Sequence, residues 1–206
     1  MTTTNNTEEI KVILVGDSGV GKTNLINAAV GREFDQYSTT SKACSFSQKE
    51  IEYDDKFYIL NIWDTIGQEK LRDLNKIFYK GAKIVIYVYD ITRKNALEDL
   101  KYWINEIKEK LGGDGFIHAV CGNKSDLYLE EKVSEGDGKK IADLIKAKFK
   151  LTSAKCNKED FIIFLEELAH DYIDSLTPED ERKNRVYKLK KEQLKDNGTS
   201  KKKTWC

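Results

Sequence analysis

The residues best suited to chemistry form a glycine-rich stretch near the amino terminus. Residues 16–23, with the sequence GDSGVGKT, fit the pattern G-x-x-x-x-G-K-[ST] and lie between a strand-like run and a helical pattern. The glycines let backbone N–H groups turn inward around phosphate oxygens, and the start of the following helix adds its positive dipole. Lys22 is placed to reach the β- and γ-phosphates, and the Thr23 hydroxyl to bind Mg²⁺. This phosphate loop predicts a nucleoside triphosphate but does not specify the base.

A second motif selects the base. Residues 123–126, Asn-Lys-Ser-Asp, follow an apolar run. The carboxylate of Asp126 can accept hydrogen bonds from both N1–H and N2–H₂ of guanine, whereas adenine offers no such donor pair and would leave a buried acceptor unpaired. Lys124 can lay its aliphatic stem along the base, and residues 153–155, Ser-Ala-Lys, can add a backbone donor to the guanine oxygen. With the phosphate loop, this motif favours GTP over ATP.

A third motif fits the γ-phosphate. Residues 63–69, Trp-Asp-Thr-Ile-Gly-Gln-Glu, end another strand-like run. Asp64 can support Mg²⁺ through a water, and Gly67 lets its N–H approach the γ-phosphate. Gln68 can orient the attacking water, as the matching glutamine does in phosphoryl-transfer switches. Gln68 and Lys22 are therefore the predicted catalytic residues.

Alternating strand and helix patterns must position these motifs. Strands are expected at 10–16, 44–53, 56–64, 83–90, 116–122 and 149–152, and helices at 21–30, 94–111, 137–148 and 158–175. The second and third strands form a hairpin around Asp54-Asp55. The pattern predicts an α/β fold of the P-loop NTPase type, a doubly wound, mostly parallel six-stranded sheet flanked by helices, in which ligands bind at the carboxyl ends of the strands.

Length and composition predict one domain with extensions. The chain has 206 residues and is 39% apolar, which excludes a wholly disordered protein. We expect a disordered extension at 1–9 without a secretion signal, a folded GTP-binding domain at 10–177, and a charged tail at 178–206 that starts at Pro178, the single proline. The apolar runs are too short to span a bilayer, and the cysteine spacings suit neither disulfides nor a metal.

Charge separates the body of the chain from its tail. From Glu179 to Cys206 there are ten Lys or Arg against five Asp or Glu, a net charge of +5, so the remainder carries −5. Such a body is not expected to bind nucleic acid. We expect a cytosolic monomer, with the basic tail serving a separate purpose.

Together these residues resemble the Ras-like small GTPases, and within them the Rab branch, over about Ile10 to Ser175. The Rab-like stretches are 62–69, 78–82 and 87–92. The resemblance implies GTP, GDP and Mg²⁺ as ligands, slow hydrolysis, and a switch in vesicle trafficking that is served by an exchange factor, a GTPase-activating protein and effectors. The nucleotide-binding residues that it implies are Ser18, Gly19, Val20, Gly21, Lys22, Thr23, Asn24, Phe34, Gly67, Asn123, Lys124, Asp126, Ser153, Ala154 and Lys155.

The resemblance also assigns surface residues. Phe46, Trp63 and Phe78 fall where Rabs place the aromatic triad that contacts effectors, and Phe34 falls where the family packs an aromatic edge against guanine. Cys206 resembles a geranylgeranylation site, although most Rabs carry two such cysteines. Prenylation implies a prenyltransferase and a GDI or escort partner, and attachment to the cytosolic face of membranes. A single chain anchors only marginally, so the tail lysines must add attraction to anionic lipid.

Two departures from the Rab pattern concern the switch segments. Ser41 falls, by ungapped counting, where the family has the threonine that completes the Mg²⁺ shell, and Thr40 is the alternative. Ile66 replaces an alanine that is nearly invariant in the family, and its stiff side chain lies one peptide from the N–H of Gly67. We therefore expect unusually slow hydrolysis.

Two other functions compete with a slow GTPase. Ile66 and the unusual first switch leave open a non-hydrolysing GTP-binding scaffold, against which Gln68, Lys22 and Thr23 argue. A P-loop ATP enzyme such as a small kinase is disfavoured by residues 123–126 and by the missing lid arginines. We identify no arginine finger within the chain, so turnover is expected at about 10⁻³ s⁻¹ or slower without a partner.

Overall fold

Within the residues that the structure describes, a β-sheet is flanked by four α-helices. The structure, a computed structural model, describes residues 7–35, 45–65, 78–112 and 115–178. The strands are β1 (Glu8–Val15), β2 (Ser45–Tyr53), β3 (Lys56–Asp64), β4 (Ile84–Asp90), β5 (Ile117–Asn123) and β6 (Lys148–Leu151). The helices are α1 (Lys22–Ala29), α2 (Ala96–Leu111), α3 (Glu135–Leu144) and α4 (Lys158–Leu176), with a 3₁₀ helix at Ser125–Glu130.

The six strands form one sheet in the order β2-β3-β1-β4-β5-β6. Among the strands of the described residues, β2 and β3 alone pair antiparallel, from Ser45 opposite Asp64 to Tyr53 opposite Lys56. The two residues between them, Asp54 and Asp55, have φ of 54° and 59°, the left-handed values that a tight two-residue hairpin turn needs. The predicted fold class, a mostly parallel six-stranded sheet with flanking helices, is confirmed.

Burial on both faces explains the apolar run in the central strand. All seven residues of β4 are buried. Ile84, Ile86 and Val88 pack into a core with residues of α1 and α4, whereas Val85, Tyr87 and Tyr89 pack into a second core with residues of α2 and α3. A parallel strand covered by helices on both sides needs this composition.

Several element boundaries differ from the sequence-based expectation. β1 begins at Glu8, which pairs with Tyr58, so the expected disordered extension 1–9 was wrong for Glu8 and Glu9, which belong to the sheet. α3 spans 135–144 rather than 137–148, because the Ser134 hydroxyl accepts from the Asp137 N–H at its start and Lys146 takes a left-handed φ of 54° after its end.

The structure describes only part of the predicted domain plan. Residues 1–6 and the tail from 179 onward lie outside the described residues. Within the described ranges, none of the helices combines the length and apolar content needed to cross a bilayer.

Candidate functional site

The phosphate loop connects β1 to α1 and depends on its glycines. Gly16 has a φ of 148°, and a Cβ there would collide with the carbonyl oxygen of Val88 in β4. Gly21 has a φ of 100°, and a Cβ there would collide with the Asn123 amide. The backbone is therefore wrapped closely against β4 and β5, as a loop that presents its N–H groups to an anion requires.

Lys22 lies inside this loop. Its side chain is 6% exposed, and its Nζ donates to the carbonyl oxygens of Gly16 at 2.7 Å and Asp17 at 2.9 Å. Burial lowers the pKa of Lys22 to about 8, and this effect outweighs the opposing influence of Asp64 and Asp17. Phosphate oxygens placed beside this buried ammonium would stabilise its charge and raise its pKa.

Two of the predicted Mg²⁺ ligands, Thr23 and Asp64, lie close to Lys22. The Thr23 hydroxyl donates to Oδ2 of Asp64 at 2.6 Å, and Asp64, at the end of β3, is 1% exposed. A hydroxyl and a carboxylate are the hard oxygen donors that Mg²⁺ takes in combination with phosphate and water. The residues present fit the ion. Ser41 and Thr40, the two candidates to complete the shell, lie outside the described residues.

Asn123 joins the phosphate loop to the base loops, the two segments 123–126 and 153–155 that are predicted to bind the base. Its Nδ2 donates to the Val20 carbonyl at 2.8 Å, and its Oδ1 accepts from the Ala154 N–H at 3.2 Å. Because both ends of the amide bind protein, the side chain positions the loops.

The predicted guanine-binding carboxylate is held by Ser153. Oδ1 of Asp126 accepts from the Ser153 hydroxyl at 2.6 Å, and that hydroxyl oxygen accepts from the N–H of Cys156 at 2.9 Å. Lys124 has a φ of 67°, and its Nζ lies 2.6 Å from Oδ2 of Asp90. The base loops therefore converge at the same edge of the sheet as the phosphate loop.

The structure also shows polar contacts that sequence reasoning missed. The Trp103 indole N–H donates to Oδ1 of Asp17 at 2.8 Å, and Arg93 donates to the Ser18 carbonyl at 2.7 Å. Burial acts to raise the pKa of Asp90, but hydrogen bonds from Lys124 and Thr92 outweigh it and hold that pKa below its ordinary value. Two signals in the sequence pointed to Asp90, its position at the end of a strand and its place in the Rab-like stretch 87–92. The other pairs are too distant in sequence to be inferred from spacing.

The three aromatic residues assigned to effector contact lie together. The ring centroids of Phe46 and Trp63 are 5.2 Å apart, and those of Trp63 and Phe78 are 5.8 Å apart. Phe46 is 47% exposed, so the group forms a partly open aromatic surface.

Asn24 and Phe34, both assigned to nucleotide binding, lie within α1 and shortly after it, respectively. Phe34 is 40% exposed. The side chain of Asn24 exchanges two hydrogen bonds with the backbone of Asp35, at 2.9 and 3.0 Å, so it holds the segment that carries Phe34.

Several predicted residues lie outside the described ranges: Gly67, Gln68, Ile66, Ser41, Thr40 and Cys206. Their assignments rest on the sequence.

Comparison with known proteins gives the family. Residues 11–171 match the Ras family. The chain is 40% identical over 147 residues to Ras-related protein Rab-22A of Homo sapiens, covering 71% of this chain and 75% of the relative. It is 37% identical over 147 residues to Ras-related protein Rab-31 of Rattus norvegicus, with the same coverage.

The chain belongs to the Ras family. A third relative, Ras-related protein Rab-11C of Dictyostelium discoideum, is 38% identical over 144 residues, which cover 70% of this chain and 64% of the relative. The resemblance to Rab GTPases is therefore confirmed. This Ras-family chain is a small GTPase of the kind that acts in membrane trafficking, binds GTP and GDP, and is regulated by exchange factors, activating proteins and effectors.

Proposed function

We propose that this chain is a Rab-type switch that hydrolyses GTP slowly and changes its surface when the γ-phosphate leaves. The observation that supports this most is the meeting of two loops at one sheet edge. Asn123 binds the phosphate loop at Val20 and the base loop at Ala154, so triphosphate and guanine subsites form one continuous site.

Hydrolysis needs charge stabilisation and an oriented water. Lys22, whose Nζ lies within the loop, would bind the phosphate oxygens, and Thr23 and Asp64, which bind each other, would hold the Mg²⁺. The bound Mg²⁺ supplies neutralisation of the negative charge that develops on the phosphate oxygens. Gln68 orients the attacking water, and the N–H of Gly67 contacts the γ-phosphate. Ser41 or Thr40 adds the last hydroxyl to the metal.

Switching follows from the loss of those contacts. When phosphate leaves, Gly67 and the hydroxyl of Ser41 or Thr40 lose a partner, and the segments that carry them relax. Effectors read the GTP-bound surface around Phe46, Trp63 and Phe78. The tail, prenylated at Cys206 by a prenyltransferase and handled by a GDI or escort protein, holds this monomer on the cytosolic face of a membrane.

Base selection by Asp126 provides the decisive test. In the Asp126→Asn variant, the carboxylate acceptor facing guanine N1–H and N2–H₂ is replaced by an amide. We expect the affinity for GDP to fall by at least about 100-fold relative to that for xanthosine diphosphate, as competition binding measures. Asp143→Asn, at an exposed aspartate of α3, is the matched control and should bind like the parent. An unchanged preference for guanosine in Asp126→Asn would refute the assignment.

The non-hydrolysing scaffold remains the alternative, and turnover separates the two. Release of phosphate from preloaded GTP in a single-turnover assay supports the enzyme, and its complete absence with Mg²⁺ and an activating protein present supports the scaffold.

A further inference from the structure

Arg93 touches the phosphate loop from outside the assigned motifs. It lies in the turn after β4, and its Nη2 donates to the Ser18 carbonyl oxygen, 75 positions earlier, at 2.7 Å. A Cβ added to Gly19 would lie 2.9 Å from the same nitrogen. The guanidinium therefore packs against the two peptides at the centre of the loop.

The guanidinium is held by a carboxylate that is itself fixed. Oδ2 of Asp90 lies 3.6 Å from Nε of Arg93 and 2.6 Å from Nζ of Lys124. Oδ1 of Asp90 accepts from the N–H and the hydroxyl of Thr92, at 2.9 and 2.8 Å. Because the Asp90 side chain is 3% exposed and bound at both oxygens, it provides a rigid anchor.

Two further carboxylates, those of Asp17 and Asp99, line the same small cavity as Arg93. The pKa of Asp99 is raised, mainly by burial and then by charge repulsion from Asp17 and a hydrogen bond with it. The positive charge of Arg93 opposes this shift. Asp17 is itself bound by Trp103. The positive charge of Arg93 thus offsets the negative charges of Asp90, Asp17 and Asp99, which lie next to a loop whose proposed function is to bind an anion.

We propose that Arg93 is a positioning residue, which holds the Ser18 peptide so that the phosphate loop keeps its binding shape for the β-phosphate. The inference rests on the guanine-nucleotide binding proposed above. A charge-assisted hydrogen bond to a peptide oxygen is stronger than a neutral one, and fixing the Ser18 oxygen also fixes the N–H of Gly19, which belongs to the same planar peptide. A planar guanidinium can bind Asp90 and Ser18 together through different nitrogens, which a lysine ammonium cannot do in this geometry.

Comparing GDP, which has a β-phosphate, with GMP, which lacks it, distinguishes this positioning role from general support of the fold. Arg93→Ala should release a fluorescent GDP analogue roughly 10-fold faster or more, since it loses a hydrogen bond from a charged donor. Its affinity for GMP, which lacks the β-phosphate, should stay within about twofold of the parent. Arg93→Lys should fall between the two in GDP release, because it keeps the charge and one of the two contacts.

The neighbouring exposed lysine supplies the control. Lys94→Ala removes the same charge one residue away, and its GDP release should match that of the parent. GDP release from Arg93→Ala within twofold of the parent would overturn the proposal, as would equal losses for GMP and GDP, which mark a general defect of the site. A parent protein that binds no GDP would instead refute the proposed function, and the role of Arg93 with it.

Discussion

At the scale of single residues, Lys22 shows how a buried charge serves binding. Its ammonium is satisfied by two carbonyls of its own loop and has a pKa lowered to about 8 by burial. Burial therefore makes this ammonium costly to keep charged. On the proposed function, phosphate oxygens would replace the hydration that burial removes, which would couple nucleotide binding to the protonation of Lys22.

Proton uptake on GDP binding is the expected consequence. At pH 9, above the lowered pKa, most free protein carries a neutral Lys22, and phosphate raises the pKa so that binding takes up a proton. At pH 7 the lysine is already charged and takes up almost none. The number of protons taken up per GDP bound should rise from near zero at pH 7 to nearly one at pH 9. Calorimetry in buffers of different ionisation enthalpy measures this number. A constant or falling uptake would contradict the lowered pKa.

Ile66 is expected to slow hydrolysis. Its branched side chain adjoins the peptide that must turn towards the γ-phosphate, so Ile66→Ala should increase the single-turnover rate of GTP hydrolysis by roughly 2- to 10-fold, the effect of about 0.4 to 1.4 kcal/mol on the barrier. Ile66→Val keeps the branch and is the matched control, with an expected rate close to the parent. An Ile66→Ala rate equal to or below that of the parent would show that the branch does not limit the reaction.

At the scale of elements, α3 shows why boundaries were harder to predict than element types. The apolar pattern indicated a helix, but its start depends on the Ser134 cap and its end on the left-handed Lys146. The 3₁₀ helix at Ser125–Glu130 has no buried residue, so no apolar periodicity could reveal it. Buried strands and amphipathic helices were predictable because burial determines their composition.

Gly138 should be indispensable to the packing of α3. A Cβ there would lie 2.8 Å from Cε2 of Phe149 and would collide with the hydroxyl of Tyr89. Glycine to alanine in a helix ordinarily stabilises by up to about 1 kcal/mol, but here overpacking should lower the free energy of unfolding by roughly 1–3 kcal/mol. In Gly136→Ala the new Cβ has only the Ser134 hydroxyl nearby, at 3.8 Å, so this control should be neutral or stabilising. Urea denaturation measures both, and a stabilising Gly138→Ala would contradict the packing.

At the scale of the whole molecule, the sheet order places the motifs. β1, β3, β4 and β5 run parallel, so their carboxyl ends bring the phosphate loop, Asp64, Asp90 and Asn123 to one edge. The motifs span residues 16 to 155 in the sequence but form one site.

The tail should carry the membrane attachment of the whole protein. Protein isolated from its native cell should be heavier by one isoprenoid chain, and Cys206→Ser should lack that addition, as intact-protein mass spectrometry measures. With one chain and several lysines, binding to anionic vesicles should weaken at high salt, since each lysine contributes about 1 kcal/mol through screened attraction. An unmodified thiol at Cys206 in native material would contradict prenylation.

The identity of the ligand and the type of fold could be inferred from local sequence, because each depends on short motifs and on apolar patterns that act within a few residues. Asp126, Lys22 and Thr23 predict binding of guanine, phosphate and Mg²⁺, respectively, by their types and spacing. The contacts of Arg93 with Ser18 and of Asn123 with Val20 could not be inferred, since they join residues 75 and 103 positions apart. Folding brings such residues together through strand order and helix packing, which no local pattern encodes.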